Sequence, residues 1–425
     1  MRRYSARLAR DRYDADILSN KESDFILAKA RQMGSCISGS RRGTSENLHP
    51  GYPTLENQGY RGEGARVDRW LDWRTQLGSS LAKGGVGQVR DEAQAIVVVN
   101  PLPSTLCRYQ TELVETIGRA QTERRIELYL EPGDGNQSVA HKILSAMRIL
   151  AGRSVMGRRY RAATILVAWP LFGYFDVLSW ILAARRNTVI CLVHDPLPLR
   201  RQIGHSWLAK KLFHSIVARF NIVPVCHTEL AGHALREQTG VDSIVAGHPI
   251  ASAKSVTSSA NRSELTAIRV MGQFKAARTL NPLNQIADSS SMRRFKLEIH
   301  GSKWPAVPGW EVSGVFVPED EFDRLVCTAN CVVIPYSHFF QSGVAVRCLE
   351  AGVPIVAPRH EHIEGLYGND WPGIVDTDGD WPAAALRVQH TTSGELERLA
   401  ERARNTSDAG WSKLMDVAVG GDRIR

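Results

Sequence analysis

From Ala95 to Pro249 the chain alternates short apolar runs with helix-length segments, and after a polar break it repeats the alternation. The first set of runs is AIVVVN (95–100), IELYLE (126–131), ATILVAW (163–169), TVICLVH (188–194), NIVPVCH (221–227) and SIVAGHP (243–249). Between them the sequence predicts helices near 105–120 and 138–151, an apolar helix ending at Arg186, a basic helix near 205–219 and a helix ending at Gln238. The second set is AIRVMG (267–272), FKLEIHG (295–301), VSGVF (312–316), CVVIPY (331–336), PIVAP (354–358) and GIV (373–375). Its helices are expected near 279–290, 319–329, 343–351, 393–404 and 408–419. Continuous β-branched runs that do not alternate with polar residues belong to strands buried on both faces, which requires a parallel sheet with helical crossovers. The polar stretch 251–264 reads as a linker, so the fold class is α/β with two successive parallel-sheet domains, 94–250 and 265–425.

A length of 425 residues suits that division, and 43% apolar with 23% charged residues is a globular composition. Residues 1–93 are set apart as an extension with a plausible helix over 14–33, a Gly/Ser/Arg-rich stretch at 34–64 and a short helix around Trp70, Leu71 and Trp73. KGGVGQ (83–88) precedes the first strong strand and lacks the GxGxxG spacing, so it is not a phosphate loop. The seven cysteines have no pairing rhythm, which predicts free thiols and a cytoplasmic setting. The basic N-terminus is not followed by an apolar stretch, so no secretory signal is expected. Residues 162–184 are long enough to span a bilayer, but Pro170, Gly173 and Asp176 interrupt them; a buried strand, a turn and an apolar helix fit better. Residues 141–220 hold thirteen Lys/Arg against two acids, a net of +11, whereas 251–425 hold nineteen against twenty-one. The basic excess thus belongs to the first domain and predicts an anionic partner, with a peripheral place at the inner face of the cell membrane. Nucleic acid is not expected, because no recognition module accompanies the charge.

Two segments carry chemistry. In VMGQFKAAR (270–278) a strand ends at Gly272 and two cations, Lys275 and Arg278, follow before the next helix; ligands of open α/β sheets bind at such strand ends. In IPYSHFFQSGVAVRCLEAGVPIVAP (334–358) a buried strand leads to Ser342-Gly343 and directly into a helix. The open amides there, with the Ser342 hydroxyl, make an anion site.

These segments resemble the donor domain of GT-B-fold retaining glycosyltransferases, in the broad group called glycosyltransferase family 4-like. The strand end with Gly272, Gln273, Lys275 and Arg278 is similar to the family's pattern, with arginine where a lysine is usual. Pro335-Tyr336, Gln341-Ser342-Gly343, Gly352-Val353-Pro354 and Val356-Ala357-Pro358 resemble its later block, and His300-Gly301 its base-bordering strand end. The resemblance is detailed over 267–375 and architectural over 95–250. It implies two Rossmann-like domains facing across a cleft and transfer of a sugar from a nucleotide-diphosphate sugar to a glycan or lipid-linked acceptor. It also implies retention of configuration and no metal or other cofactor. Lys275, Arg278, Ser342 and the amides of Gly343 and Val344 would then stabilise the leaving diphosphate.

The pair of glutamates that many relatives carry falls here on Phe339 and Arg347, and the resemblance offers Glu361 or Glu364 as a substitute. Arg347 is accordingly included among the donor-site positions. Glu350 lies three residues beyond and points elsewhere on the helix. On the acceptor side, His194 and Asp195 close the fourth apolar run and are candidates for sugar contact and for a base. Arg108, in the loop after the first strand, is a candidate for an anionic acceptor. The D-x-D spacing of DTDGD (376–380) reads as a turn, and His360 and His362 lack a third ligand. Two other readings remain compatible with the residues: a nucleotide-sugar epimerase or hydrolase, and a non-catalytic binding or scaffold subunit.

Overall fold

The apolar runs become the strands of two separate sheets in the computed structural model, which describes residues 95–419 apart from 104, 123, 132–138, 198–203, 252–265 and 377–378. The readings made for residues 1–93 and for the linker from 252 onward lie outside the described residues. The first sheet holds β1 (Ile96–Asn100), β2 (Ile126–Leu130), β3 (Thr164–Val167), β4 (Thr188–Leu192), β5 (Ile222–Cys226) and β6 (Ile244–Val245). Its order is β2-β1-β3-β4-β5-β6 and every pairing is parallel. The second holds β7 (Ala267–Met271), β8 (Lys296–Ser302), β9 (Glu311–Gly314), β10 (Cys331–Val333), β11 (Ile355–Pro358) and β12 (Ile374–Val375). Its order is β9-β8-β7-β10-β11-β12, again all parallel. The winding reverses between β1 and β3 in one sheet and between β7 and β10 in the other, the positions where doubly wound sheets open a crevice.

In the first domain α1 (Cys107–Ala120) covers one face of the sheet. The other face is covered by α2 (Val139–Arg159), α3 (Asp176–Ser179), α4 (Ile181–Ala184), α5 (Trp207–Val217) and α6 (Glu229–Thr239). Alternate residues of β1 serve the two cores, Val97 and Val99 on one side, Ile96 and Val98 on the other. Residues 162–184 form β3, a turn and the two short helices α3 and α4, where one apolar helix was expected. The break falls at Trp180, fully buried, whose amide closes α3 on Val177 O (3.1 Å) and whose indole N–H donates to the buried Asp176 (3.0 Å), which also accepts from Arg153 Nη1 (2.9 Å). Arg153 also grips Glu131 through two bonds of 2.7 and 2.9 Å, with no solvent access to the group. No helix among the described residues is long and apolar enough to cross a membrane.

The second domain adds α7 (Asn281–Asp288), α8 (Glu319–Cys327), α9 (Gly343–Glu350), α10 (Glu361–Tyr367), α11 (Trp381–Arg387) and α12 (Ser393–Val419). Glu361 and Glu364 lie on α10, and DTDGD, read as a turn, ends at Asp380, whose carboxylate caps α11 through the Ala383 amide (2.9 Å). Two C-terminal helices were expected; one 27-residue helix is found. At about 40 Å it is long enough to lie across both domains. Its start packs on the second core through Leu396 and Ala400, while Trp411, Leu414 and Met415 are fully buried among Val98, Leu166 and Ile190 of the first. The C-terminus therefore packs with the N-terminal domain although it follows the second domain in sequence.

Candidate active site

The donor-side residues gather at the β7/β10 reversal. Gly272 ends β7 with φ +90°, a conformation glycine adopts without strain, and its amide donates to His300 O (2.8 Å). Gly301 is required by contact: a Cβ there would stand 2.2 Å from the Gly272 carbonyl oxygen. Trp304, which no motif indicated, donates its indole N–H to that same oxygen (2.8 Å). The turn from 272 to 278 is thus clamped from β8. Lys275 is exposed on it, while Gln273 is half-buried beside Gly301.

Arg278 is placed differently from a cation turned toward a ligand. It is buried and donates to Met271 O (2.7 Å), Gly272 O (3.2 Å) and Tyr336 Oη (3.1 Å), with its plane near the rings of Tyr336 and Trp304. Its Nε–H is buried and unpartnered. Arg278 therefore braces the turn through backbone carbonyls, and Lys275 is the cation left open at its tip.

On the β10 side Ser342 is the N-cap of α9, its hydroxyl accepting from Ala345 N (3.3 Å). The first amides of α9, Gly343 and Val344, have no intrahelical acceptor to use, and Gly343 is exposed. A Cβ on Gly343 would meet nothing within 4 Å, so open space lies before the helix end. His300 leans on Glu298 (3.2 Å), which Arg269 also holds (2.6 Å).

The acceptor-side candidates face this site across the cleft. His194 Nε2–H donates to Ala168 O (2.8 Å), which leaves Nδ1 as the acceptor for the Gln341 side-chain amide. Trp169 stacks on the ring at 4.6 Å. Burial lowers the His194 pKa to about 4, so it is neutral with both nitrogens occupied, and a sugar hydroxyl must displace Gln341 to reach it. The Gln341 carbonyl oxygen is itself buried without a partner. Burial raises the Asp195 carboxyl above its ordinary range, with the charge of Lys275 opposing that shift. The charge of Lys275 thus reaches Asp195 from 80 positions away in sequence, without an ion pair between them.

Other candidates are tied down elsewhere. Arg108 is bound by Glu112 (2.7 Å), Asp323 (2.8 Å) and Glu350 (2.5 Å), an interdomain cluster that fills its guanidinium with carboxylates. Arg347 joins it by pairing with Asp323 (2.6 Å) and Glu319 (2.8 Å) over the Phe322 ring. Glu361 accepts from the Glu229 and Leu230 amides (2.6 and 2.8 Å), capping α6 of the opposite domain. Glu364 pairs with Arg359 (2.7 Å). Sequence reasoning also missed Phe340, which follows the second domain's strand yet is buried in the first domain's core. Missed as well was a buried group of histidines at the junction. His227 Nε2 meets Tyr109 Oη (2.8 Å), His248 lies beside His227, and His362 on α10 comes within a ring-centroid distance of 6.4 Å of His248. Among the described residues no cluster of three or more His, Cys, Asp or Glu is arranged to hold a metal ion.

No family model and no curated protein matches the sequence. Solved structures do match its fold. HepE of Anabaena, solved in complex with UDP and glucose, aligns at a TM-score of 0.51 and 10% identity, covering 77% of this chain and 99% of that one. Sucrose-phosphate synthase of Thermosynechococcus elongatus aligns at 0.51 and 12% identity, covering 76% and 97%. A UDP-forming trehalose-phosphate synthase of Burkholderia vietnamiensis aligns at 0.50 and 10% identity, covering 77% and 99%. The architecture these share with the chain, two six-stranded parallel α/β domains across a cleft, is the GT-B fold of glycosyltransferases.

Proposed function

We propose that the protein transfers a sugar from a nucleotide-diphosphate sugar. The observation that carries this reading is the pairing of the clamped Gly272–Arg278 turn with the open α9 N-terminus at the β7/β10 reversal. Backbone amides and a single mobile cation, Lys275, are what a leaving diphosphate needs, and a preorganised set is worth more than flexible charges. Braced by Arg278, the turn supplies that preorganisation. Asp195, within the electrostatic reach of Lys275, is the group suited to orient or deprotonate an acceptor hydroxyl. UDP- and sugar-binding structure relatives at the fold level support the donor class. Retention, a glycan or lipid-linked acceptor, a role in exopolysaccharide or envelope glycan synthesis and a cytoplasmic, membrane-peripheral setting complete the proposal. The family 4-like resemblance and the basic first domain are their support. The reaction as proposed draws on no metal.

The test is a thermal-shift panel with UDP, GDP, dTDP and ADP on wild type and on Lys275→Ala. Lys275 is exposed, so its removal leaves the fold intact. A nucleotide at a hundred times its dissociation constant stabilises by about 2.7 kcal/mol. One nucleotide shifting wild type but not the variant is the expected result. No shift with any of the four rejects an intact donor site. That result favours a non-catalytic scaffold, a reading that the Gln341 amide on His194 Nδ1 and the Glu361 cap also support.

A further inference from the structure

The outer surface of α2–α5 is apolar where a solvated helix layer is ordinarily polar. On α2, Leu144, Met147, Leu150 and Val155 stand open to solvent, Met147 at 55% and Val155 at 61% exposure. Leu178 and Leu182 continue the surface on α3 and α4, which pack beside α2. Trp207 and Leu208 extend it at the start of α5, which contacts α3. Of the twelve large apolar side chains exposed among the described residues, these eight share one face of one domain. That concentration is what sets a docking surface apart from scattered exposed residues.

The charges on the same elements have one sign. Arg148, Arg158 and Arg159 flank the apolar stripe of α2, and Arg185, Arg186 and Lys211 border the helices beside it, all exposed. From 139 to 194 the sole acid is Asp176, and it is buried against Arg153. No carboxylate on these elements therefore offsets the exposed arginines. Lys211 lies over the Trp207 ring at 4.0 Å, a cation and an indole side by side at the rim.

We infer that this face seats the protein on an anionic phospholipid bilayer. Leucine, methionine and valine enter the acyl boundary, the arginines meet lipid phosphates, and Trp207 lies at the interface. Charge argues against the other occupants. A second copy in a two-fold dimer sets arginine against arginine. Residues 1–94, with sixteen Lys/Arg against twelve acids, are themselves net basic at +4. The inference rests on the reading above only for the purpose of the contact, bringing the cleft to a lipid-linked acceptor; binding itself needs no sugar chemistry.

The experiment is vesicle flotation of the full chain with phosphatidylcholine vesicles, with and without phosphatidylglycerol, at low and high salt. Two variants accompany it, Met147→Asp/Val155→Asp and Arg158→Glu/Arg159→Glu, all at exposed positions. Wild type is expected to float with the anionic vesicles at low salt and to release at high salt. Each lost arginine should weaken partition about fivefold, from roughly 1 kcal/mol per basic residue near the surface. The aspartate variant should stay in solution with its thermal midpoint unchanged. Failure of wild type to float, or flotation of the aspartate variant equal to wild type, overturns the inference. A dimer that the aspartates dissociate, seen by light scattering, overturns it in favour of a second copy. The nucleotide-induced shift, measured on the same samples, reports the donor site separately, so either reading can fail alone.

Discussion

Gly301 shows how a single residue sets the donor turn. Its missing Cβ lets the Gly272 carbonyl approach, and that carbonyl accepts from both Trp304 and Arg278. The obstructing atom is backbone, which cannot swing aside. Gly301→Ala is therefore expected to cost about 1–3 kcal/mol, as overpacking does, and to abolish the nucleotide-induced shift. An alanine variant that keeps wild-type stability and nucleotide response removes the clamp from the account. The glycine itself was visible in FKLEIHG as a strand end; that it abuts Gly272 was not, because the two are 29 positions apart in sequence. Arg278 is the companion case. Its place just after a strand end suits a cation that faces a ligand, but whether a guanidinium faces a ligand or the backbone depends on Tyr336 and Trp304, which close over it.

Among the elements, α12 joins the two domains. Its apolar positions announce a helix, and nothing in their period says which core they enter. Trp411 is fully buried in the first domain and donates to Gly247 O (2.9 Å), and Arg119 holds Asp408 at 2.8 Å beside it. Trp411→Ala should cost about 3–5 kcal/mol, the range for emptying a large aromatic site. Because the helix spans both cores, urea unfolding of this variant should separate into two transitions. A single transition at the wild-type midpoint argues that α12 adds little to the first domain. The inner strands, by contrast, were readable as runs, since a parallel strand buried on both faces leaves a continuous apolar stretch. The edge strand β9 is largely exposed and ends before Val315 and Phe316 of the expected run. The short helices were not: α10 and α11 have seven residues each, too few for a helical period to emerge.

At the scale of the molecule, the two described sheet domains are joined by contacts that cross the cleft: Gln341 on His194, Glu361 on the start of α6, and Arg108 between Asp323 and Glu350. At this junction burial lowers His194 and His248 to about 4 and His362 to about 3, and pushes His227 well below its ordinary value, with neighbouring imidazoles adding to the shift. An unfolded histidine titrates near about 6.5. Between those values the unfolded chain binds more protons than the folded one, so stability is complete above about pH 6.5 and falls as pH drops toward 4. The urea midpoint should decline across that window, and a flat profile contradicts neutral, buried imidazoles. Replacing His362, whose Nε2 is buried without a partner, by phenylalanine should make the decline shallower.

What the sequence alone determined follows from local physics: two parallel α/β domains from the apolar runs, a helix start at Ser342-Gly343, and one strongly basic domain. These depend on the neighbours a residue has along the chain. Only the tertiary structure decided that Lys275 rather than Arg278 is the open cation, that Glu361 caps a helix of the other domain, and that Asp195 feels the charge of Lys275. Each of these depends on groups brought together from distant segments, and burial then decides which charge stays free and which is spent on structure.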